Sequence, residues 1–347
     1  MNLIEQTSKW LQSDECRKGS IISRTENVIS SFRRYVSDER DEICRNTGLT
    51  YSTISRKIDV TEKSILQILN AFMGGNHEDA LKLTYQMMKA MKFDFINIGK
   101  PLYKCRENEK MYPFSKDEMF HIPYDKRHLV GNQRFSLSGL PCLYLGGSSY
   151  ICWEELGRKD FNTSNYCGYS LKEEVNVFDM VLPEAITNEH QIRRVVLTLA
   201  CSLAADRGHI FKPEYIIPQC MLHSLIKRSK ESRAVFCVRY YSTHLLNGDA
   251  DYFVHDFSKE SLSRYINYVF PATSSQEKGY STELRKVFDQ TDTISPIREI
   301  LLHPSNLMDS NSEDTYYDSQ FGLVDSILDK KMGFVSKRKQ VDFIVMD

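Results

Sequence analysis

The first hundred or so residues carry apolar positions at helical spacing and few strand signals. Between Ile21 and Cys44, Ile22, Val28, Ile29, Phe32 and Val36 recur between charged residues, which predicts an amphipathic helical segment. Thr61 is placed to cap a helix through Phe72, with Ile65, Leu66, Ile68 and Leu69 on its apolar face and Gly74-Gly75 stopping it. Asn76 is placed to cap the next helix, to about Lys92, whose Leu81, Leu83, Met87, Met88 and Met91 read as core packing. The whole region reads as a helical bundle. Leu49 to Phe72 also has the look of a helix-turn-helix whose second helix begins near Thr61. Its charge speaks against a duplex partner, because Asp59 and Glu62 offset Arg56, Lys57 and Lys63.

Beyond residue 100 the pattern changes. Val130 to Gly147 reads as two short strands around a Ser-Gly-Leu-Pro turn, and Ser148 to Leu156 as the start of a helix capped by Ser148 or Ser149. Glu174 to Leu182 alternates like a strand. Gln191 to Ala205 and Glu214 to Lys227 read as helices, and Ala234 to Tyr241 as a buried strand leading to Ser242. Strands alternating with helices predict a mixed α+β core. From about Leu307, the acidic run MDSNSEDTYYDS, the helix-like LVDSILDKK and the basic cluster Lys337 to Lys339 read as a solvated tail. The division is therefore 1–98 helical, 99–306 mixed and 307–347 an extension, with the join near Phe93 to Lys100 and a flexible point at Gly99.

Within Met119 to Leu156, Arg134, Tyr144 and Glu155 stand at intervals in apolar, glycine-punctuated sequence. Strand, strand and helix would bring them onto one wall, as a binding site. An ordinary hairpin and helix with solvated charges is the bland alternative. The stretch QRFSLSGLPCLYLGGSSYICWEEL resembles the central signature of the RES domain family, named for an arginine, a glutamate and a serine. Arg134 stands for the arginine before an aromatic residue and Tyr144 for the tyrosine of the next strand. Glu155 stands for the helical glutamate, in preference to Glu154 because it directly precedes the apolar Leu156. Ser242 in CVRYYSTH falls in the frame of the family serine, after Tyr240, with Cys237 where the family has glycine. LYKCRE puts Lys104 where the first family arginine is expected and Arg106 in the second place. The FHIP stretch around His121, EYIIPQ and YVFPATSSQEKGYSTELRKVFDQTDTISP extend the resemblance over about residues 100 to 305.

The resemblance implies an ADP-ribosyltransferase-like core, preceded here by the all-α region, that cleaves NAD between nicotinamide and ribose. In members of that family water or inorganic phosphate accepts the ribosyl group. It further implies a toxin or defence effector that depletes NAD and is neutralised by an antitoxin protein. On this reading Arg134, Tyr144, Glu155 and Ser242 are catalytic, and Lys104, Arg106, Arg134, Tyr144 and Ser242 hold the NAD. NAD is the substrate, and no separate cofactor is expected. The residue types suit this chemistry: nicotinamide leaves as a neutral base from a cationic substrate, so the enzyme needs a carboxylate against an oxocarbenium-like ribose more than a strong acid. Transfer of ADP-ribose to a macromolecule is one alternative. A non-catalytic nucleotide sensor is another, kept open by Lys104, which grips phosphate as a point charge where arginine would do so as a fork.

Composition narrows the setting. Of 347 residues 41% are apolar, enough for a sizeable core, and the net charge of −1 gives no global attraction to nucleic acid or anionic membrane. No apolar run approaches the roughly 18 residues of a membrane span, and the N-terminus lacks the pattern of a signal peptide. Nine cysteines without a Cys-x-x-Cys pair predict reduced thiols in a cytoplasm. His121, His209 and His223 stand alone, so no metal site is expected. A homodimer through the helical region is expected.

Overall fold

The computed structural model describes residues 2–89, 91, 94–95, 101–109, 112–206, 208–232, 234–248, 259–274, 276–296 and 315–334. The N-terminal region is helical throughout: α1 Leu3–Gln12, α2 Asp14–Arg17, α3 Ile21–Asp38, α4 Arg40–Thr47, α5 Tyr51–Met73 and α6 His77–Lys89. Side-chain caps explain several starts. Asn2, Ser20 and Thr50 accept from the backbone N–H three residues on, at 2.9, 3.1 and 3.3 Å. Asn76 does the same for Asp79 at 3.3 Å. On α3 the residues Val28, Ile29, Phe32 and Val36 are buried, the face that the spacing marks out.

One expectation fails here. Thr61 does not begin a helix: α5 runs unbroken through it, and its hydroxyl donates to the Lys57 carbonyl at 2.7 Å, one turn back. Thr50 is the cap, and no glycine or proline interrupts 51–73. The turn required by a helix-turn-helix is absent.

The remainder forms an eight-stranded sheet, of strands β1 Asp94–Phe95, β2 Leu102–Glu107, β3 Cys142–Gly146, β4 Ser164–Leu171, β5 Asn176–Met180, β6 Phe236–Tyr241, β7 Ile266–Pro271 and β8 Phe288–Gln290. Their order is β1-β5-β6-β7-β3-β2-β4-β8, with β5–β6 parallel and the other neighbours antiparallel. Helices α7 Ser149–Glu155, α8 Glu189–Ser202, α9 Ile216–Ser232, α10 Thr243–Leu246, α11 Lys259–Ser263 and α12 Thr282–Val287 connect them, and α13 Thr315–Asp318 and α14 Gln320–Lys331 follow. The fold is mixed α+β. Strand β1 lies within the stretch that the sequence reads as a join, where it pairs with β5 as an edge strand of the sheet. The boundaries at 98/99 and 306/307, Gly99 and Lys337 to Lys339 lie outside the described residues.

The first of the two strands expected in 130–147 is not formed; only an isolated Leu137–Leu140 bridge precedes β3. Ser136 is the reason. Its hydroxyl accepts from Gln133 N–H at 2.8 Å and donates to the Gly131 carbonyl at 3.0 Å, which satisfies locally the groups that a strand ladder would need.

The helical region shares its core with the sheet. Helices α3 and α5 pack on α8, and α6 packs on α9. A single apolar cluster runs from Leu3 to Phe321. Leu3 N–H donates to the Glu184 carbonyl at 2.8 Å, and a buried ion pair joins Arg24 of α3 to Glu214 ahead of α9.

The expectation of a solvated tail is corrected over 315–334. Leu323, Val324 and Leu328 of α14 are buried against Tyr103, Cys105, Tyr166 and Ile294, a second apolar cluster. Their spacing puts them on one face of the helix, which covers aromatic surface of β2 and β4. Asp325 accepts from Ser149 N–H at 2.9 Å and from the Tyr316 hydroxyl at 2.5 Å, so α14 caps the start of α7. Burial pushes the Asp325 carboxyl up to about 7.

His121 is a buried structural residue. Its Nδ1 donates to the Ile122 carbonyl at 2.7 Å, leaving Nε2 to accept from Ser281 N–H at 2.8 Å. Burial, with Lys104, Arg285 and Arg127 nearby, holds its pKa down to about 4. All nine cysteines are free thiols. Among the described residues no helix is long and apolar enough to cross a membrane.

Two outcomes follow. Leu328→Ala will lower the unfolding free energy in urea by about 2–4 kcal/mol, whereas a solvated tail would give no change. The unfolded state binds a proton at His121 near pH 6.5 and the folded state only near 4, so this contribution to stability is present above pH 6.5 and lost as pH falls through that window. Urea midpoints will therefore fall less steeply between pH 6.5 and 4 in His121→Gln than in the wild type.

Candidate active site

Strand β3 passes into α7 through Gly146 and Gly147, where side chains have no room. A Cβ on Gly146 would overlap Cys152 Sγ and Ile151 Cγ2, and one on Gly147 would collide with the Ser263 carbonyl oxygen. Gly147 N–H donates to the Ile266 carbonyl at 2.8 Å. Ser148, the N-cap, accepts from Ile151 N–H at 3.2 Å and donates to the Arg264 carbonyl at 2.8 Å. These contacts seat α7 against the entry of β7, and Glu155 is its last residue.

The sheet register supplies the opposing wall. Tyr144 pairs with Val269 and Val269 with Val238, while Tyr240 pairs with Asn267. The period of two puts Tyr144, Asn267 and Tyr240 on one face. Over it, Glu155 Oε1 accepts from Ser242 Oγ at 2.7 Å and from Asn267 Nδ2 at 2.6 Å. Glu155 is exposed, and its Oε2 has no hydrogen bond among the described residues. Ser242 is fully buried, and its one hydroxyl hydrogen goes to Glu155. Glu154 turns elsewhere: it is buried and accepts from Arg158 Nε at 2.7 Å.

Arg134 enters from the turn ahead of β3. Its Nη1 donates to the Cys201 carbonyl at 2.6 Å and its Nη2 to that of Leu203 at 3.0 Å, at the C-terminal end of α8, where the helix leaves carbonyls unpaired and the dipole favours a cation. The guanidinium lies 5.1 Å from the Tyr215 ring centroid. Next to it, Phe135 packs on Tyr240 with centroids 4.5 Å apart, and the Tyr144 hydroxyl donates to the Phe135 carbonyl at 3.0 Å. The Tyr240 phenol is pushed up by burial and by the Glu155 charge, against the pull of Arg134. Tyr240 thus feels both charges of the site. Burial pushes the Tyr144 phenol up as well.

The structure therefore gathers Arg134, Tyr144, Glu155 and Ser242 around Tyr240. Lys104 and Arg106, on β2, are anchored on the segment 114–121. Lys104 Nζ donates to the Phe120 carbonyl at 2.7 Å, and Arg106 Nη1 to that of Glu118 at 2.6 Å while its guanidinium lies over Phe114. Burial, reinforced by the charge of Arg106, lowers the Lys104 ammonium to about 8. No hydrogen bond of either residue reaches Glu155, Ser242 or Arg134.

Sequence reading missed Asn267. The available signal was an amide in the otherwise apolar strand INYVFP, at a position whose burial demands a partner. Chemically, the site offers a carboxylate with one oxygen fixed by two donors and the other open, set over an aromatic wall with a cation behind it. Among the described residues no three His, Cys, Asp or Glu side chains are grouped to hold a metal ion.

No family model matches the chain. It is 34% identical over 202 residues to a Bacillus subtilis (strain 168) protein named "Putative toxin YopC". That match covers 52% of this chain and 43% of the relative, so the chain spans less than half of the relative's length. A solved structure, the M. tuberculosis MbcT-MbcA toxin-antitoxin complex, aligns over 61% of this chain and 90% of its own at 12% identity, with a TM-score of 0.29 that is too low to carry weight.

Proposed function

We propose that the chain is an NAD-consuming enzyme that cleaves the nicotinamide–ribose bond and acts as a toxin by depleting NAD. The observation that carries this reading is Glu155, with Oε1 fixed by Ser242 and Asn267 and Oε2 open beside aromatic side chains. A carboxylate held this way is oriented before substrate arrives, and so it stabilises developing positive charge on the ribose without reorganising. Its open oxygen accepts from a ribose hydroxyl. Tyr144, Phe135 and Tyr240 provide the surface for a flat ring. Ser242, whose one hydroxyl hydrogen goes to the carboxylate, and Asn267, which gives it one of two amide hydrogens, act as positioning residues. Arg134 contributes positive charge and holds the Phe135 turn in place. Lys104 and Arg106 meet the pyrophosphate by exchanging backbone carbonyls for phosphate oxygens. The toxin role draws support from the name of the Bacillus subtilis relative, and a neutralising protein partner belongs to the same reading through the RES resemblance. NAD is the substrate, with no further cofactor.

The test is nicotinamide release from NAD by purified protein, with and without phosphate, with products weighed by mass spectrometry. Wild type will release nicotinamide, and the mass of the ribosyl product will identify water or phosphate as acceptor. Glu155→Gln will lower kcat/KM by about 10²–10³-fold, the scale for losing one preorganised electrostatic contact. Asn267→Ala will lower kcat by a smaller factor with KM little changed. Folded wild type that releases no nicotinamide, or Glu155→Gln with undiminished turnover, would overturn the assignment. Label from NAD appearing in protein or nucleic acid would replace it with ADP-ribose transfer.

A further inference from the structure

Away from Glu155, a cavity of about 290 Å³ opens between α5 and the N-terminal half of α8, lined by Leu49, Thr53, Arg56, Lys57, Val60, Glu189 and Arg193. Its charge is unbalanced. Lys57 pairs with Glu189 at 3.2 Å, and that glutamate is the one carboxylate in the lining. The acids that offset these cations in the sequence point elsewhere, since Asp59 and Glu62 both pair with Arg33. Neither Arg56 nor Arg193 has a hydrogen-bonded or ion-paired partner among the described residues, and Arg193 Nε is buried without one. A buried guanidinium nitrogen without an acceptor is costly and points to a missing one.

We propose that this cavity binds a small phosphate-bearing anion, held by Arg56 and Arg193 with Lys57 completing the positive wall. Two guanidinium forks and an ammonium match the oxygens of a phosphate or diphosphate, and a carboxylate would satisfy only one fork. The half-buried Leu49 and the exposed Val60 leave an apolar rim for the organic part of the ligand. The volume suits a phosphorylated metabolite better than a macromolecule, and three cations in a concavity do not make the extended stripe that tracks a nucleic-acid backbone.

The experiment is calorimetric titration of inorganic pyrophosphate into the full chain at low salt. Wild type will bind at one site governed by this cavity, and Arg56→Gln and Arg193→Gln will each weaken binding at least tenfold. Arg33→Gln, on a neighbouring helix with its own acidic partners, will leave binding unchanged. Arg56 is exposed, so its variant keeps the core intact even if Arg193→Gln loses stability. Absence of pyrophosphate binding at millimolar concentration would overturn the proposal. So would affinity indifferent to Arg56→Gln, which would place the anion elsewhere, including beside Glu155. A short DNA duplex bound through Arg56 in preference to pyrophosphate would make the surface a nucleic-acid contact instead. None of these readouts depends on NAD turnover.

Discussion

The C-terminal end of α8 is the constraint on which the rest of the molecule depends. The chain leaves the helix at Leu203, which takes an extended conformation, so the last carbonyls are left without intrahelical partners in a buried place. Two arginines from distant segments satisfy them. Arg134 takes the carbonyls of Cys201 and Leu203, and Arg24 takes that of Ala204 while pairing with Glu214. A guanidinium suits this task because its planar fork keeps its charge at every accessible pH and reaches two acceptors at once. Removing either arginine would strand buried carbonyls, and removing Arg24 would also strand the carboxylate of Glu214. The turn that carries the candidate site and the helices of the N-terminal region are thus tied to the same three residues of backbone.

This arrangement explains why the site can be open and yet ordered. Its exposed member, Glu155, is positioned by the buried Ser242 hydroxyl just past β6 and the buried Asn267 amide on β7. Its cation is immobilised by helix carbonyls, and its aromatic wall is fixed by strand register. None of these supports comes from the element that carries the carboxylate. The helix α7 has only seven residues and would not be stable alone. It is held by the close approach of Gly146 and Gly147 and by the side chains at its two ends.

Local patterns of the chain were readable wherever one interaction range decided the structure. Spacing marked out the buried face of α3, and Asn76 marked the start of α6. The misreadings have a common physical origin in competition between local signals and remote partners. Thr61 is a good cap residue, yet Thr50 was earlier and equally good, and nothing between them breaks a helix. Ser136 removed a strand by hydrogen-bonding its own backbone. The segment after Leu307 looked solvated because its acidic lead hid the apolar face of α14, whose burial depends on aromatic residues of β2 and β4 more than a hundred positions away. Asn267 escaped notice because its role appears only when β7 lies beside the end of α7.

The carboxylate that caps the start of α7 comes from Asp325, 176 residues further along than the Ser149 N–H it accepts. Synthesis runs in one direction, so a nascent chain displays Arg134, Tyr144, Glu155, Ser242 and Asn267 well before it can make α14. During that interval Ser149 lacks its acceptor, and the surface of Tyr103, Cys105 and Tyr166 is uncovered. The short helix bearing Glu155 then lacks the Asp325 cap and relies on Gly146, Gly147, Ser148 and the contacts of Glu155 with Ser242 and Asn267. The capped form of α7 is thereby deferred until residues beyond 325 have emerged from the ribosome, which spaces the appearance of the candidate site from the completion of its support.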